Sequence, residues 1–349
     1  MITRRVSLLA ALVALAILPL TAAQALRIYF IDTEGGQATL VVTPAGQSML
    51  IDTGFPGDGQ FSSKPGDPAK ARDANRIAAA ARDAGVSRID VLVITHAHAD
   101  HIGGVTELAA LLPIKVFVDN GGPLPNADAV PGTLAAFRWY EAVRAKGRHI
   151  VAVPGKRLPL KGVAVTVVSA AGKTLRTPLE GAGAANAACT SATPPQEPTE
   201  NPRSVGVVLQ YGAFRYFDPG DLTGEPLFAL TCPKNMIGVV DVYRVAHHGG
   251  ADAADPATFD ALRPRAAIVI NGPTKGGAPN LLAELRKRTD IDPWELHHSL
   301  LPGAEDVAAE RIANLDTTTS YWLVLAANAD GSFAITNPRT GATRSYARR

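Results

Sequence analysis

The sequence has little cysteine and shows no pattern typical of thiolate or serine-nucleophile chemistry. Its 349 residues contain two cysteines, Cys189 and Cys232, which lie neither in a CxxC pair nor beside the histidines. Cysteine ligands for a metal are therefore not predicted. A GxSxG segment is also missing, so the sequence does not predict the sharp turn that presents a nucleophilic serine.

Beyond residue 25 the sequence lacks an apolar run of the ~20 residues that a membrane helix needs. The first 25 residues, MITRRVSLLAALVALAILPLTAAQA, combine an arginine pair, a shorter apolar run and a small-residue end. They are typical of a secretory signal peptide, 1–25, in which TRRVSLL resembles a twin-arginine signal; the alternative is an uncleaved anchor. We expect a periplasmic or secreted protein with one domain at 26–349 and no membrane span after signal removal. In that compartment Cys189 and Cys232 can form a disulfide.

Neither charge is in excess. The chain has 34 basic and 32 acidic residues, and removal of Arg4 and Arg5 with the signal peptide balances them. A surface that neutralises many phosphates normally carries a basic excess. The sequence therefore gives no strong nucleic-acid signal.

Apolar periodicity predicts strands and helices in alternation, which indicates an α/β protein. Short strands at 26–32, 38–43 and 48–54 are separated by EGGQ and PAGQ, as in antiparallel hairpins. AKARDANRIAAAARDAG predicts a helix, and IDVLVIT predicts a buried strand. Residues 170–203 are rich in Ala, Gly, Pro and Thr without a period, so we expect a long irregular insert there. Locally paired strands in both halves predict two packed sheets with helices outside.

Seven of the eight histidines fall in three clusters, and the first cluster, THAHADHIGG, follows a predicted strand directly. His96 and His98 are two residues apart, so in extended backbone both imidazoles lie on one side and can share an ion. Asp100 and His101 follow where two glycines allow a turn. Nitrogen and carboxylate ligands without thiolate fit zinc, with manganese or iron as substitutes. The second cluster is the doublet His247–His248, and the third is His297–His298.

HAHADH resembles the signature of the metallo-β-lactamase superfamily. The resemblance extends through IDTEGGQATLVV, LIDTG, NPRSVGVVLQYGAFRYFDPGDL and VAHHGG. In this order the motifs are similar to those of the metal-hydrolase domain of the bacterial DNA-uptake channel ComEC and its soluble relatives, including phosphorylcholine esterases. The resemblance implies an αββα four-layer sandwich.

The resemblance also implies a centre with two zinc ions. The ligands it implies are His96, His98, Asp100, His101, Asp221 and His248. Asp221 would bridge the ions, although it is also placed to cap the following helix. His247 would face the substrate, unless the two histidines of the doublet exchange roles. Asp52 is expected to hold the loops beneath the ions.

Other polar residues are predicted around the opening of the site. Asn201 and Ser204, in NPRS, match a polar pair of the ComEC-like branch and are expected to bind substrate; a simple turn is the alternative. Asn271 and Lys275, in INGPTKGG, are placed to reach an anionic substrate or to form a surface turn. The third histidine cluster has either a pocket role or a structural one.

These features predict an exported binuclear metal-dependent hydrolase. Between the first cluster and Asp221 the only histidine is His149, outside any ligand pattern, so we expect an open position at the first ion. Asp100 or Asp221 would orient a hydroxide held by the ions. The open position, together with the resemblance to the ComEC-like branch, favours a small-molecule or polymer phosphoester or phosphodiester. The alternatives are hydrolysis of a lactone, thioester or β-lactam, and a metal-stabilised binding protein on a degenerate hydrolase scaffold. The oligomeric state is not predicted.

Overall fold

The computed structural model describes residues 25–189, 193–194 and 197–349, so the predicted signal peptide lies outside the described residues except for its last position. In this part of the chain, seventeen strands form one sheet of nine strands and one of eight. No helix within these ranges has the length and apolar character needed to cross a membrane.

The first sheet combines antiparallel and parallel strands. From edge to edge it contains β17 (Ala342–Tyr346), β16 (Phe333–Asn337), β15 (Leu323–Ala327), β1 (Leu26–Phe30), β2 (Thr39–Val42), β3 (Ser48–Ile51), β4 (Ile89–Val93), β5 (Ile114–Asp119) and β6 (Arg148–Val151). The predicted hairpins β1–β2 and β2–β3 are antiparallel, and β3 to β6 are parallel. The predicted hairpin β15–β16 is also present, but it pairs with β1, an arrangement that the sequence did not indicate.

The second sheet is built mainly from the middle of the chain. Its strands, in order, are β14 (Ile312–Asn314), β13 (Asp292–His297), β12 (Ala266–Val269), β11 (Val242–Arg244), β10 (Phe214–Asp218), β9 (Gly206–Tyr211), β7 (Ala164–Ala170) and β8 (Lys173–Thr174). Strands β10 to β14 are parallel, so the chain segments that follow β10, β11 and β12 emerge at one edge of the sheet.

Helices connect the strands. They are α1 (Arg72–Asp83), α2 (Ala99–Ile102), α3 (Val105–Leu111), α4 (Thr133–Arg144), α5 (Gly224–Thr231), α6 (Pro256–Leu262) and α7 (Pro279–Lys287). Helix α1 buries Ala74, Ile77 and Ala81, which the helical period places on one face. Helix α6 begins with proline after Asp255, whose carboxylate accepts a hydrogen bond from the Ala257 amide.

Three apolar clusters fill the spaces between the layers and hold the layers together. Successive side chains of a strand point to opposite faces, and in β1 Ile28 and Phe30 pack against the second sheet whereas Tyr29 packs toward the helices. One cluster fills the space between the sheets. A second joins the first sheet to α1, α3 and α4, and a third joins the second sheet to α5, α6 and α7. The predicted αββα sandwich is confirmed.

A disulfide joins Cys189 to Cys232, which are 43 residues apart in sequence. In the described part of the insert at 170–203, the regular elements are the short strand β8 and a 3₁₀ turn at Asn201–Arg203. Because Cys232 directly follows α5, the bond attaches this insert to the helix that follows Asp221.

Candidate metal centre

The predicted ligands lie in three segments that follow strands β4, β10 and β11, and the first of these segments includes helix α2. His96 comes three residues after β4, Asp221 three after β10, and His248 four after β11. Asp52, His247 and His248 have φ angles of 61°, 49° and 54°. Non-glycine residues rarely adopt this region, and such conformations cluster at functional sites.

His96 and His98 are buried and face each other. His96 Nε2 lies 2.9 Å from His98 Nδ1. The other nitrogen of His96, Nδ1, lies 3.0 Å from the Thr95 hydroxyl and 3.3 Å from the Ser204 hydroxyl. These hydroxyls fix the ring of His96, so its Nε2 remains directed at His98. Burial and the neighbouring His101 lower the pKa of His96 well below its usual range, so the ring is neutral and can act as a ligand.

Four of the predicted ligands form a compact buried group, in which one ligand atom from each residue lies within 4.8 Å of the others. This ligand group consists of Asp100, His101, Asp221 and His248. Asp221 Oδ2 lies 2.9 Å from His101 Nε2 and 3.0 Å from His248 Nε2. Asp100 Oδ2 lies 3.1 Å and 3.2 Å from the same two nitrogens. Two imidazoles and two carboxylates therefore point at one another, from four positions spread over about 150 residues of sequence.

Two further contacts fix the orientation of the imidazoles. His101 Nδ1 lies 2.7 Å from Asp52 Oδ2, and His248 Nδ1 lies 3.1 Å from the carbonyl oxygen of Ile270. With Nδ1 donating to that oxygen, Nε2 of each ring is the nitrogen that would bind a cation. Asp52 itself is held by the Thr95 amide and hydroxyl. The predicted supporting position of Asp52 agrees with this geometry.

Replacement of Asp52 with asparagine is expected to weaken metal binding about 10- to 100-fold, because an amide orients His101 less firmly than a carboxylate. Competition with a chromophoric chelator would measure the affinity. Asp90→Asn is the matched control, because Asp90 is also buried but contacts Ser48 near the start of β4, at the opposite end of this strand from His96. Equal affinities for Asp52→Asn and the wild type would contradict the role assigned to Asp52.

Positive groups around the two carboxylates keep them ionised although they are buried. Burial alone would raise the pKa of Asp221, but His101 and His248 outweigh it, and that pKa lies well below its usual range. Burial would likewise lower the pKa of His101, but Asp221, Asp100 and Asp52 outweigh it and raise that pKa well above its usual value. The carboxylates stay ionised in a buried space, which is stable only when positive charge compensates them.

The residues present fit a bound metal ion. His101 Nε2 and His248 Nε2 lie 3.2 Å apart, and both nitrogens face the same two carboxylates. Among the described residues, His98 Nε2 and Asp221 Oδ1 are buried without a hydrogen-bond partner. Nitrogen and carboxylate ligands in this arrangement suit zinc, iron or manganese.

The sequence did not indicate that Arg244 supports the bridging position. Its side chain is fully buried, and it donates to the carbonyl oxygen of Gly220 and to Gln37 Oε1. Its Nη2 lies 3.5 Å from Asp221 Oδ1. Arg244 thus holds the loop that carries Asp221 and adds positive charge beside it. The available signal was an arginine inside the apolar strand DVYRVA, where a charge is rarely buried unless it is paired.

His247 and Asn201 lie beside the group but outside it. His247 Nδ1 lies 2.8 Å from Asp252 Oδ2, and its Nε2 lies 3.4 Å from the Asn201 amide nitrogen. The side chain of His247 is 28% exposed. The structure thus brings His248 to the ligand group and leaves His247 at the open side. Of the two arrangements considered for the doublet, this is the one in which His248 is the ligand and His247 faces the substrate.

Two predicted substrate-binding residues need correction. Ser204 is fully buried, and its hydroxyl contacts His96 rather than the opening. Asn271 is also fully buried, and its amide group pairs with both the backbone carbonyl oxygen and the backbone amide of His297. Since these atoms are already used, Asn271 joins β13 to the loop after β12 and does not reach a substrate.

The remaining histidines lie outside the ligand group. His149 contacts Asp119, consistent with its exclusion as a ligand. His297 is the last residue of β13, and its buried ring nitrogens have no hydrogen-bond partner among the described residues, whereas His298 pairs with Asp306 at the surface. Neither histidine of the third cluster belongs to the ligand group.

The comparisons with known families agree with this geometry. Residues 32–161, which include the first histidine cluster, match the sequence model of the Metallo-beta-lactamase superfamily. This segment is similar to that superfamily, and the two packed sheets with outer helices have its fold. With the ligand group, the match identifies an enzyme of the metal-dependent hydrolase class. No curated protein matches the chain.

Several solved structures are similar to the chain at low identity. CmlA, a diiron β-hydroxylase from Streptomyces venezuelae, has 15% identity and a TM-score of 0.43 over 79% of this chain and 54% of its own. The metallo-beta-lactamase fold protein YhfI from Bacillus subtilis has 10% identity and a TM-score of 0.44, over 78% and 96% of the two chains. A diphosphatase of the PhnP family has 14% identity and a TM-score of 0.40, over 77% and 94%. The chain spans about half of the hydroxylase that it matches.

Proposed function

We propose that the protein is an exported hydrolase of the ComEC-like branch that uses two metal ions, zinc in the first instance, to cleave a phosphoester or phosphodiester. The observation that carries the proposal is the buried group of two carboxylates and two imidazoles within 4.8 Å of one another. The proposed ligands are His96 and His98 for one ion, Asp100, His101 and His248 for the other, and Asp221 between them. When bound, such ions supply an activated water near neutral pH and polarise the ester oxygen.

The side chains of the protein have distinct tasks in this reaction. Asp221 and Asp100, both kept ionised, can accept a hydrogen bond from the attacking water and orient it. Arg244 holds the Asp221 loop through Gly220. On the open side, His247 and Asn201 offer polar atoms to the substrate, and the pair lies 3.4 Å apart.

Charge around the opening supports an anionic substrate. The ammonium group of Lys275 lies at the ligand group, and its side chain is 28% exposed. A phosphate ester carries a negative charge that such a group stabilises, whereas a neutral lactone has no charge to pair with it. The balanced whole-chain charge gives no support to tight binding of long nucleic acids. Export is supported by the Cys189–Cys232 disulfide, which suits an oxidising compartment.

Two measurements on the wild type and His98→Ala test the proposal. The first is metal analysis, and the second is a comparison of turnover with bis(p-nitrophenyl) phosphate, a lactone and a chromogenic β-lactam. We expect about two ions at saturating zinc, loss of at least one ion in His98→Ala, and turnover of the phosphodiester above that of the other compounds. His149→Ala is the matched control, because His149 pairs with Asp119 outside the centre.

Each contrary result selects a different function. Preferential turnover of the lactone or β-lactam would replace the phosphoester substrate. Failure of fully metal-loaded protein to turn over any compound in a broad panel would favour a metal-stabilised binding protein.

A further inference from the structure

Lys275 reaches the ligand group from the loop after β12. Its Nζ donates a hydrogen bond to Asp100 Oδ2 and lies 3.2 Å from His248 Nε2. These are two of the atoms proposed to hold the second ion. The ammonium group therefore contacts the same donor atoms that a cation would use.

Close backbone packing fixes this loop in place. The Gly277 amide donates to the carbonyl oxygen of His248 at 3.0 Å, and the Gly272 amide donates to that of Lys275 at 2.8 Å. A Cβ atom at Gly276 would lie 2.1 Å from the His248 carbonyl oxygen, so this position needs glycine. The loop that carries Lys275 is thus tied through Gly277 to the backbone of a ligand residue, which places the Lys275 side chain beside Asp100.

An ammonium group and a divalent ion that contact the same donor atoms would repel each other strongly, because the surrounding residues are buried and screen the charges little. The two cannot share Asp100 Oδ2 and His248 Nε2. The rings of Phe55 and Phe61 lie 5.8 Å and 5.5 Å from the ammonium, and Phe61 is 56% exposed. They provide a surface at which a displaced ammonium remains stabilised near the opening.

We propose that Lys275 competes with the second metal ion for its position. In the protein without the second ion, Lys275 compensates Asp100, and this ion pair weakens binding of the second ion. When the second ion binds, the ammonium withdraws toward Phe55 and Phe61, where it faces an anionic substrate. This inference rests on the metal centre assigned in the proposed function and adds unequal affinities for its two ions.

The inference is tested by titrating the full metal-free chain with zinc. Binding is followed by calorimetry and by metal analysis after equilibrium dialysis. We expect the wild type to bind one ion tightly and a second at least tenfold more weakly, since loading must overcome the ammonium charge. In Lys275→Met the second ion should bind roughly tenfold or more tightly than in the wild type. Lys70→Met is the matched control, because Lys70 is an exposed lysine away from the ligand group.

Thermal unfolding gives a second measurement that does not depend on turnover. With chelator present, Lys275→Met should melt below the wild type, because Asp100 loses its partner; with excess zinc, its melting temperature should rise by more than that of the wild type. If Lys275→Met does not fold, Lys275→Gln serves in both measurements, because its shorter neutral side chain removes the charge and keeps a polar end.

The outcomes separate the two proposals. Equal affinity for the second ion in the wild type and the Lys275 variants would overturn the competition and leave the metal centre standing. Fewer ions in the variants than in the wild type would also overturn it, since Lys275 would then be a ligand. If neither protein bound an ion, the proposed metal centre would itself be wrong.

Discussion

Replacement of Asp221 with asparagine is expected to lower kcat/KM for the phosphodiester about a thousandfold, the largest effect predicted for a single residue. The carboxylate lies 2.9 Å and 3.0 Å from His101 and His248 and is fully buried. Asparagine keeps the shape but loses the charge and one acceptor oxygen. Loss of several kcal/mol of stabilisation in the transition state corresponds to this factor.

Metal content and activity of Asp221→Asn should be measured together, because the variant is expected to bind fewer ions as well as to turn over slowly. Asp119→Asn is the matched control. Asp119 is likewise a buried carboxylate at the end of a strand, but its partners are Tyr140, Arg144 and His149. Asp119→Asn should lose stability and keep its ions. Near-normal activity of Asp221→Asn would remove this residue from the proposed centre.

Replacement of both cysteines, Cys189 and Cys232, by serine removes the disulfide. This double variant is expected to have a free energy of unfolding roughly 3 to 4 kcal/mol below that of the wild type. The bond closes a segment with a sequence separation of 43, and the unfolded chain gains conformational freedom when it is lost. Denaturant titration of metal-free wild type and double variant would measure the difference.

The same variant also tests whether the bond affects the centre. Helix α5 directly precedes Cys232 and packs through Leu227 and Leu230 into the core of the second sheet. Because this helix has its own apolar contacts, metal stoichiometry should be unchanged in the double variant. A stability within 1 kcal/mol of the wild type would contradict the expected constraint on the unfolded chain.

Local sequence patterns were sufficient to predict most of the strands and helices. The alternation in β1 to β3 and the period of α1 predicted their elements, because each buries one face whose spacing is visible in a short window. The edge strands β6, β14 and β17 were not predicted, since they are short or half-exposed and have weak apolar patterns. The pairing of β15 with β1 joins residues about 300 positions apart, and nothing in either segment alone specifies that partner.

The candidate site was partly predictable for the same reason. His96, His98, Asp100 and His101 lie within six residues, so their proximity is local. Ser204 and Asn271 were identified as polar residues in turns, but the sequence does not distinguish a hydroxyl that faces a ligand histidine from one that faces solvent. The ion pair between Lys275 and Asp100 depends on a loop register that only the assembled sheets define.

The position of β15 between β1 and β16 bears on how the chain folds during synthesis. One edge of β1 pairs with β2, but its other edge is covered only by Leu323–Ala327. While a ribosome is still making the intervening residues, that edge offers unpaired amide and carbonyl groups to any neighbouring chain. A chaperone that shields the nascent N-terminal hairpin would therefore raise the yield of native protein more than one that acts after release.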